Sequence, residues 1–266
     1  MGTSGTNRPE RQRKTALRLN LLLLRGSRHW LRVALILLGI YVSLPFVAPT
    51  LMRLGLEGPG RLLYTLYSPF CHQFAFRTFF LYGEQPFYPR FNVPSDLTPF
   101  ETYAVDSPEF KEAVMPYLPS GTSADELDLN AFSPALQFGS RAFLGDERMG
   151  YKMTLCARDI AIYIAMFIGG LIYSIPTVRR RLRPAPLYLY LLLGIAPIAI
   201  DGFSQLLGYP PFSLWEPRET TPYFRVLTGA LFGFMNVWLG FPYLEASMRE
   251  TRRQIEAKLA RAGIET

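Results

Sequence analysis

Histidine, cysteine and charge are all scarce in this sequence. Two cysteines among 266 residues exclude a disulfide-dense secreted scaffold, and two histidines leave no pair to hold a haem from both sides. Charged residues make up 18%, where a soluble domain carries about a quarter. With 49% hydrophobic residues, the chain is also too apolar to be disordered. There is no P-loop, no GxGxxG, no GxSxG, no HExxH and no internal repeat. Phosphate-loop, dinucleotide, serine-hydrolase and zincin chemistry therefore have no motif support.

What is present is four long apolar runs. They cover 33–51 (VALILLGIYVSLPFVAPTL), 160–178 (IAIYIAMFIGGLIYSIPTV), 187–207 (LYLYLLLGIAPIAIDGFSQLL) and 226–244 (VLTGALFGFMNVWLGFPYL). Each is close to the ~20 residues that cross a ~30 Å hydrocarbon layer at ~1.5 Å rise. None shows the polar face of a soluble amphipathic helix. The first is too long for a signal-peptide core and lacks a small-x-small cleavage site, so a retained helix is expected.

Lys and Arg outnumber Asp and Glu, 28 to 21, giving a net +7. The basic residues fall in three knots: Arg8–Arg32, Arg179–Arg183 and Arg249–Arg261. Four crossings put all three on one side. The positive-inside tendency makes that side cytoplasmic, with both termini inside a multi-pass inner-membrane protein. The segments 1–32 and 245–266 are then basic cytoplasmic tails, the latter helical, and the first dozen residues should be disordered. The positive charge marks lipid headgroups rather than nucleic acid, which is not an expected partner.

The stretch 83–152 differs in character. It holds eleven acidic and five basic residues, a net of −6, so the remainder carries +13. It is rich in proline, and Ser107-Pro108-Glu109 and Ser123 with Glu126 read as helix starts. An extracytoplasmic acidic cap is expected, offering a docking surface for other membrane-complex subunits. The segment 61–82 (RLLYTLYSPFCHQFAFRTFFLY) is apolar, yet Pro69, His72, Gln73 and Arg77 argue against a fifth crossing. An interfacial or re-entrant Cys-His helix on the outer side is expected. The aromatics of Phe70–Tyr88 read as interfacial anchors, and His29 beside Trp30 as an inner-interface residue.

Several polar residues reach membrane depth on the outer side: Gln73 and Arg77, Arg158 and Asp159, the i,i+4 pair Asp201 and Gln205, and Arg225. Buried charges pair. The expected pairs are Asp201 with Arg225 or Arg158, and Asp159 with Arg77. Both cysteines fall in this group, and three readings compete. Cys71 and Cys156 form a disulfide; or, with His72 and Asp159, they form a metal site for one zinc or copper ion; or they are inert buried thiols. Ala165 with Gly169, and Gly229 with Gly233, are small-xxx-small pairs expected to pack helices. No catalytic residue is identified.

Cys71-His72-Gln73, Arg77, Cys156-Ala157-Arg158, Ile162-Tyr163, Asp201-Gly202-x-x-Gln205, Arg225-x-x-Thr228-Gly229 and Gly233, in that order, resemble the prokaryotic domain-of-unknown-function family 2085. Its pattern runs roughly CHQ…RS, CxRCxGIYxG, DGxxQ, RxxTGxxxG. Asp159 stands where the family has its second CxRC cysteine, Ala161 stands where it has the following glycine, and the acidic stretch is an insertion. The resemblance implies a polytopic membrane protein with a Cys/His/Arg/Asp cluster and implies no reaction. If the family's cysteines hold a metal, Asp159 would supply a harder oxygen ligand.

The expected fold is an all-α membrane protein, a four-transmembrane-helix bundle with the Cys-His helix and the outer acidic insert. The expected function is an accessory or assembly subunit whose outer cluster binds a metal or is locked by a disulfide. A metal-dependent or thiol redox enzyme is the alternative, and a small transporter acting as an oligomer is the second.

Overall fold

The computed structural model describes residues 7–264, with side chains from Arg11 onward. The expected disorder of the first dozen residues therefore lies partly outside the described chain; residues 7–12 begin a helix. The protein is mostly helical, and among the described residues four helices are long and apolar enough to cross a membrane.

Helix α1 runs Asn7–Arg53 without interruption, although Pro45 and Pro49 lie inside it. Helix α2 is Glu57–Tyr67. The short α3 (Phe100–Ala104), α4 (Pro108–Val114) and α5 (Pro134–Ala142) follow. Helix α6 is Ala157–Ser174 and α7 is Pro176–Arg181. The third apolar run forms α8, Leu187–Leu206. Its stretch Tyr190–Ile195 is π-helical and ends two residues before Pro197. Pro197 has no N–H to donate and its ring crowds the carbonyl one turn back, so the ladder shifts register there. Helix α9, Pro222–Arg261, is 40 residues long, starts at the Thr221 cap and carries both the fourth apolar run and the C-terminal basic segment.

The bundle is tightest between α6 and α9. A Cβ at Gly229 would come within 2.5 Å of the Arg158 carbonyl oxygen, and one at Gly233 within 2.3 Å of the Ile162 carbonyl oxygen. Gly169 lies against Val237. The small residues thus let two helix backbones touch. Outward positions such as Ile36, Leu37, Leu192 and Ile200 are 62–70% exposed, the surface of a helix that faces hydrocarbon.

The fold is not all-α. Residues 61–82 form no single helix. Pro69 cannot donate to extend α2, and the chain passes through a turn, an irregular Cys71–Phe74 segment and one 3₁₀ turn into strand β1, Thr78–Leu81. Strand β1 pairs antiparallel with β3, Gly150–Cys156, in the register Thr78↔Cys156 and Phe80↔Lys152. The two-residue β2, Gly145–Asp146, pairs with the other edge of β3. Aromatic and β-branched residues in both long strands favour pairing, and Asp146 Oδ1 accepts from the Arg148 and Met149 amides to turn the β2–β3 hairpin.

Phe74, Phe76, Phe80 and Tyr88, expected at the membrane interface, instead join Phe100, Phe110 and Phe143 in the buried core of this cap. Ser107 caps α4 by accepting from the Phe110 amide, while Ser123 starts only a 3₁₀ turn. At the opposite end of the bundle, Glu245 on α9 accepts from Trp30 Nε1 (2.8 Å), Arg179 Nε (3.0 Å) and Arg249 Nε (2.7 Å). Part of the middle basic knot therefore ties α1, α7 and α9 together rather than facing lipid.

Gly233→Val would drive a side chain into the Ile162 carbonyl. We expect a loss of about 1–3 kcal/mol, read as a lower thermal midpoint of the detergent-solubilised protein. An unchanged midpoint would show that α6 and α9 are not held this closely.

Candidate functional site

Strand β3 runs directly into α6, with Cys156 as the residue capping the helix. That join brings two polar groups to the cap end of the bundle, one around the sulfurs and one around the arginines.

The first group is built on Gln73. Its φ is +56°, a left-handed conformation that costs a side-chain-bearing residue about 1 kcal/mol or more. Its hydrogen bonds hold that conformation. The amide Nε2 donates to the Tyr64 carbonyl (3.0 Å) and the Thr154 carbonyl (2.9 Å), and the backbone N–H donates to Cys71 Sγ (3.4 Å). Its own carbonyl accepts from Lys152 Nζ at 2.7 Å. The fully buried Lys152 ammonium also donates to the Ser140 (3.0 Å) and Arg141 (2.6 Å) carbonyls. Burial pushes the Lys152 amine down to about 7, while the three carbonyl acceptors match the three protons of the charged form.

This clamp fixes Cys71 beside Cys156. The Cys156 amide donates to Cys71 Sγ at 3.2 Å, so that sulfur receives two backbone N–H groups. Cys156 Sγ donates to Asp159 Oδ2 at 3.0 Å. Ligand atoms of Cys71, Cys156 and Asp159 all lie within 4.8 Å of one another, and the two thiols are free. The neighbouring Cys156 thiol and then burial push the Cys71 thiol well above its ordinary value. Tyr67, Met153, Leu155 and Ile160 wall the group with apolar surface. His72 does not join it. Its exposed ring packs against Phe74, with centroids 5.5 Å apart, and lines an adjoining cleft.

The second group surrounds that cleft. Arg77 Nε reaches both oxygens of Glu219 (3.0 and 2.9 Å). Arg225 Nη2 and the Tyr209 hydroxyl also donate to Glu219. Arg225 Nη2 further donates to Gln205 Oε1 at 2.8 Å. Arg158 Nη2 donates to Asp201, whose other oxygen accepts from Thr220 Oγ1 at 2.5 Å. Gln205 Nε2 donates back to the Asp201 carbonyl at 3.1 Å. Two guanidinium groups hold the Glu219 carboxyl below its ordinary value against the effect of burial, which is the larger single influence.

Of the expected pairs, Asp201 with Arg158 is present. Asp159 does not meet Arg77, whose partner is Glu219. Sequence reading missed Glu219, Tyr209 and Lys152. For Glu219 a signal existed: three arginines at one depth need more than Asp201 to neutralise them, and the 208–225 loop offers only two acidic residues, Glu216 and Glu219.

Comparison with known proteins agrees with the membrane class. Residues 146–239 match the family described as "Predicted membrane protein (DUF2085)". The resemblance expected from the motifs holds from β3 through the second and third apolar runs and into the fourth; the Cys71-His72-Gln73 segment lies outside the matched residues. An uncharacterized protein of Methanocaldococcus jannaschii is 33% identical over 94 residues, 35% of this chain and 54% of that protein. The chain thus spans about half the length of the curated relative it matches. No solved structure matches it.

Lys152→Met keeps the bulk but leaves three buried carbonyls without a donor. We expect a loss of about 3–5 kcal/mol, measured by denaturant unfolding in detergent with near-ultraviolet circular dichroism reporting the aromatic cap. Glu219→Gln strips the shared counter-charge from Arg77 and Arg225 and should cost a similar ~3–5 kcal/mol. A change under about 0.5 kcal/mol in either would refute the corresponding clamp.

Proposed function

We propose that this is a multi-pass inner-membrane accessory protein whose Cys71, Cys156 and Asp159 hold one thiophilic metal ion, zinc or copper. The observation that carries it is the convergence of two sulfurs and a carboxylate from segments 85 residues apart. A tetrahedral zinc site with Zn–S of ~2.3 Å has S···S edges of ~3.8 Å, so closing the trio onto an ion requires movements of about 1 Å or less. Two backbone N–H groups already point at Cys71 Sγ, and a bound cation would supply the positive charge that this buried thiol needs in order to ionise. Three protein ligands leave a fourth position for water or a partner's ligand. His72, the fourth residue expected from sequence, lies in the cleft instead.

The basic tails support an orientation with both termini in the cytoplasm and the cap outside. Helix α2 supports an interfacial placement of the cap: Tyr64 and Tyr67 pack inward while Leu62 and Leu66 are more than half exposed. The exposed Glu109, Glu112 and Glu147 line one cleft and form an acidic face for a basic partner subunit. Deleting 83–152 would remove most of the cap core and half of β3, so this face is tested by charge substitutions.

A disulfide between Cys71 and Cys156 is the second reading, favoured by the same closeness of the sulfurs in an oxidising compartment. Metal analysis of purified protein decides between them. We expect about one zinc or copper ion per chain, lost in Cys71→Ser. Thiols that resist labelling until reductant is added, in metal-free protein, would establish the disulfide and overturn the metal site.

A further inference from the structure

The arginines face a cleft of ≈ 470 Å³ between the cap and the ends of α6, α8 and α9. Arg77, Arg158, Arg225 and His72 line it, while the carboxylates that balance the arginines, Asp201 and Glu219, do not. The guanidinium groups therefore have their counter-charges behind them and a basic surface in front. Arg158 Nε is buried without a hydrogen-bond partner. Among the described residues, the bonds of Arg77 and Arg225 leave from Nε and Nη2, leaving Nη1 of each unused. Gln205 and Tyr209 add polar atoms to the same wall.

We propose that this cleft binds the phosphate group of an anionic ligand. Three guanidinium forks converging on one space match a phosphate, with three or more acceptor oxygens and close to two negative charges, better than a carboxylate with two oxygens and one. The like-signed lining excludes metal cations. Orientation of the forks is fixed before binding, because each is already held from behind: Arg77 and Arg225 by Glu219, Arg158 by Asp201. Arg77 also lies 5.3 Å from the Phe74 ring centroid and 5.8 Å from that of Tyr209. Leu206 lines the cleft, and Phe203, 60% exposed, lies on the same last turn of α8. The site is thus within reach of both a lipid phosphate and a water-borne one. It does not depend on the metal reading.

Gly202 supplies the test. A Cβ there would meet only Arg158 Nη1, at 3.8 Å, and no other atom within 4 Å. Gly202→Leu therefore places a side chain in the cleft from a position where its Cβ is in ordinary contact only, and it replaces glycine in a helix, which favours folding. Detergent-solubilised protein would be titrated with sodium pyrophosphate and, separately, with dihexanoyl phosphatidic acid while the thermal midpoint is followed. Sodium chloride of equal ionic strength and dihexanoyl phosphatidylcholine are the controls. We expect a saturable rise with at least one phosphate probe, and an apparent Kd raised about tenfold or more in Gly202→Leu. A response to phosphatidic acid alone assigns a lipid, and a response to pyrophosphate assigns a soluble phosphate compound. The proposal is overturned if neither probe exceeds its control, or if Gly202→Leu responds as strongly as the unsubstituted protein.

Discussion

A single ammonium group with three carbonyl oxygens around it holds the cap together. Lys152 donates to the Cys71–Phe74 segment and to the end of α5 from a position on the central strand. A buried charge without a carboxylate is tolerable only where every proton has an acceptor. The three backbone segments must therefore arrive together, and a partly formed cap would strand the charge. The left-handed Gln73 follows from this constraint, since that turn aims its carbonyl at Lys152 while its side chain ties α2 to β3. The position of Cys71 is a by-product of the clamp.

The join between β3 and α6 then distributes two chemistries from neighbouring residues. Adjacent helix positions point about 100° apart. Asp159 faces the sulfurs and Arg158 faces the cleft, so one helix start serves both groups. The first gathers sulfur and oxygen ligands within an apolar wall; the second gathers forks already neutralised from behind. Gly229 stands against the carbonyl of Arg158 itself, so the helix packing that closes the bundle also sets the height of that arginine. Packing and site geometry are coupled at one residue.

The spanning helices were legible because hydrocarbon imposes a uniform rule on every residue of a run, and the small-residue pairs stood out within it. The cap was not. Its strands are short, Phe79 and Phe80 read equally well as interfacial aromatics, and the pairing of β1 with β3 crosses more than 60 residues of insertion. A local pattern cannot encode a partner that distant. Among the site residues, Asp201, Gln205 and Arg225 announced themselves as polar atoms where polar atoms are costly. Lys152 lies in a segment where charge is ordinary, and only its burial marks it; Glu219 was traceable only by asking what neutralises three arginines at one depth. Adjacency to Cys71 made His72 a candidate ligand, yet its ring packs on Phe74 and lines the cleft.

Helices α1 and α9 outrun the bilayer. At ~1.5 Å per residue their 47 and 40 residues measure about 70 and 60 Å, against a ~30 Å hydrocarbon core. Beyond the bundle they stay joined: Leu24, Ile255 and Leu259 pack together, and Arg28 meets Glu256 at 2.7 Å. Two helices zipped in this way form a stiff mast, and a mast is a ruler. Whatever engages its tip is held roughly 20 Å or more from the headgroups.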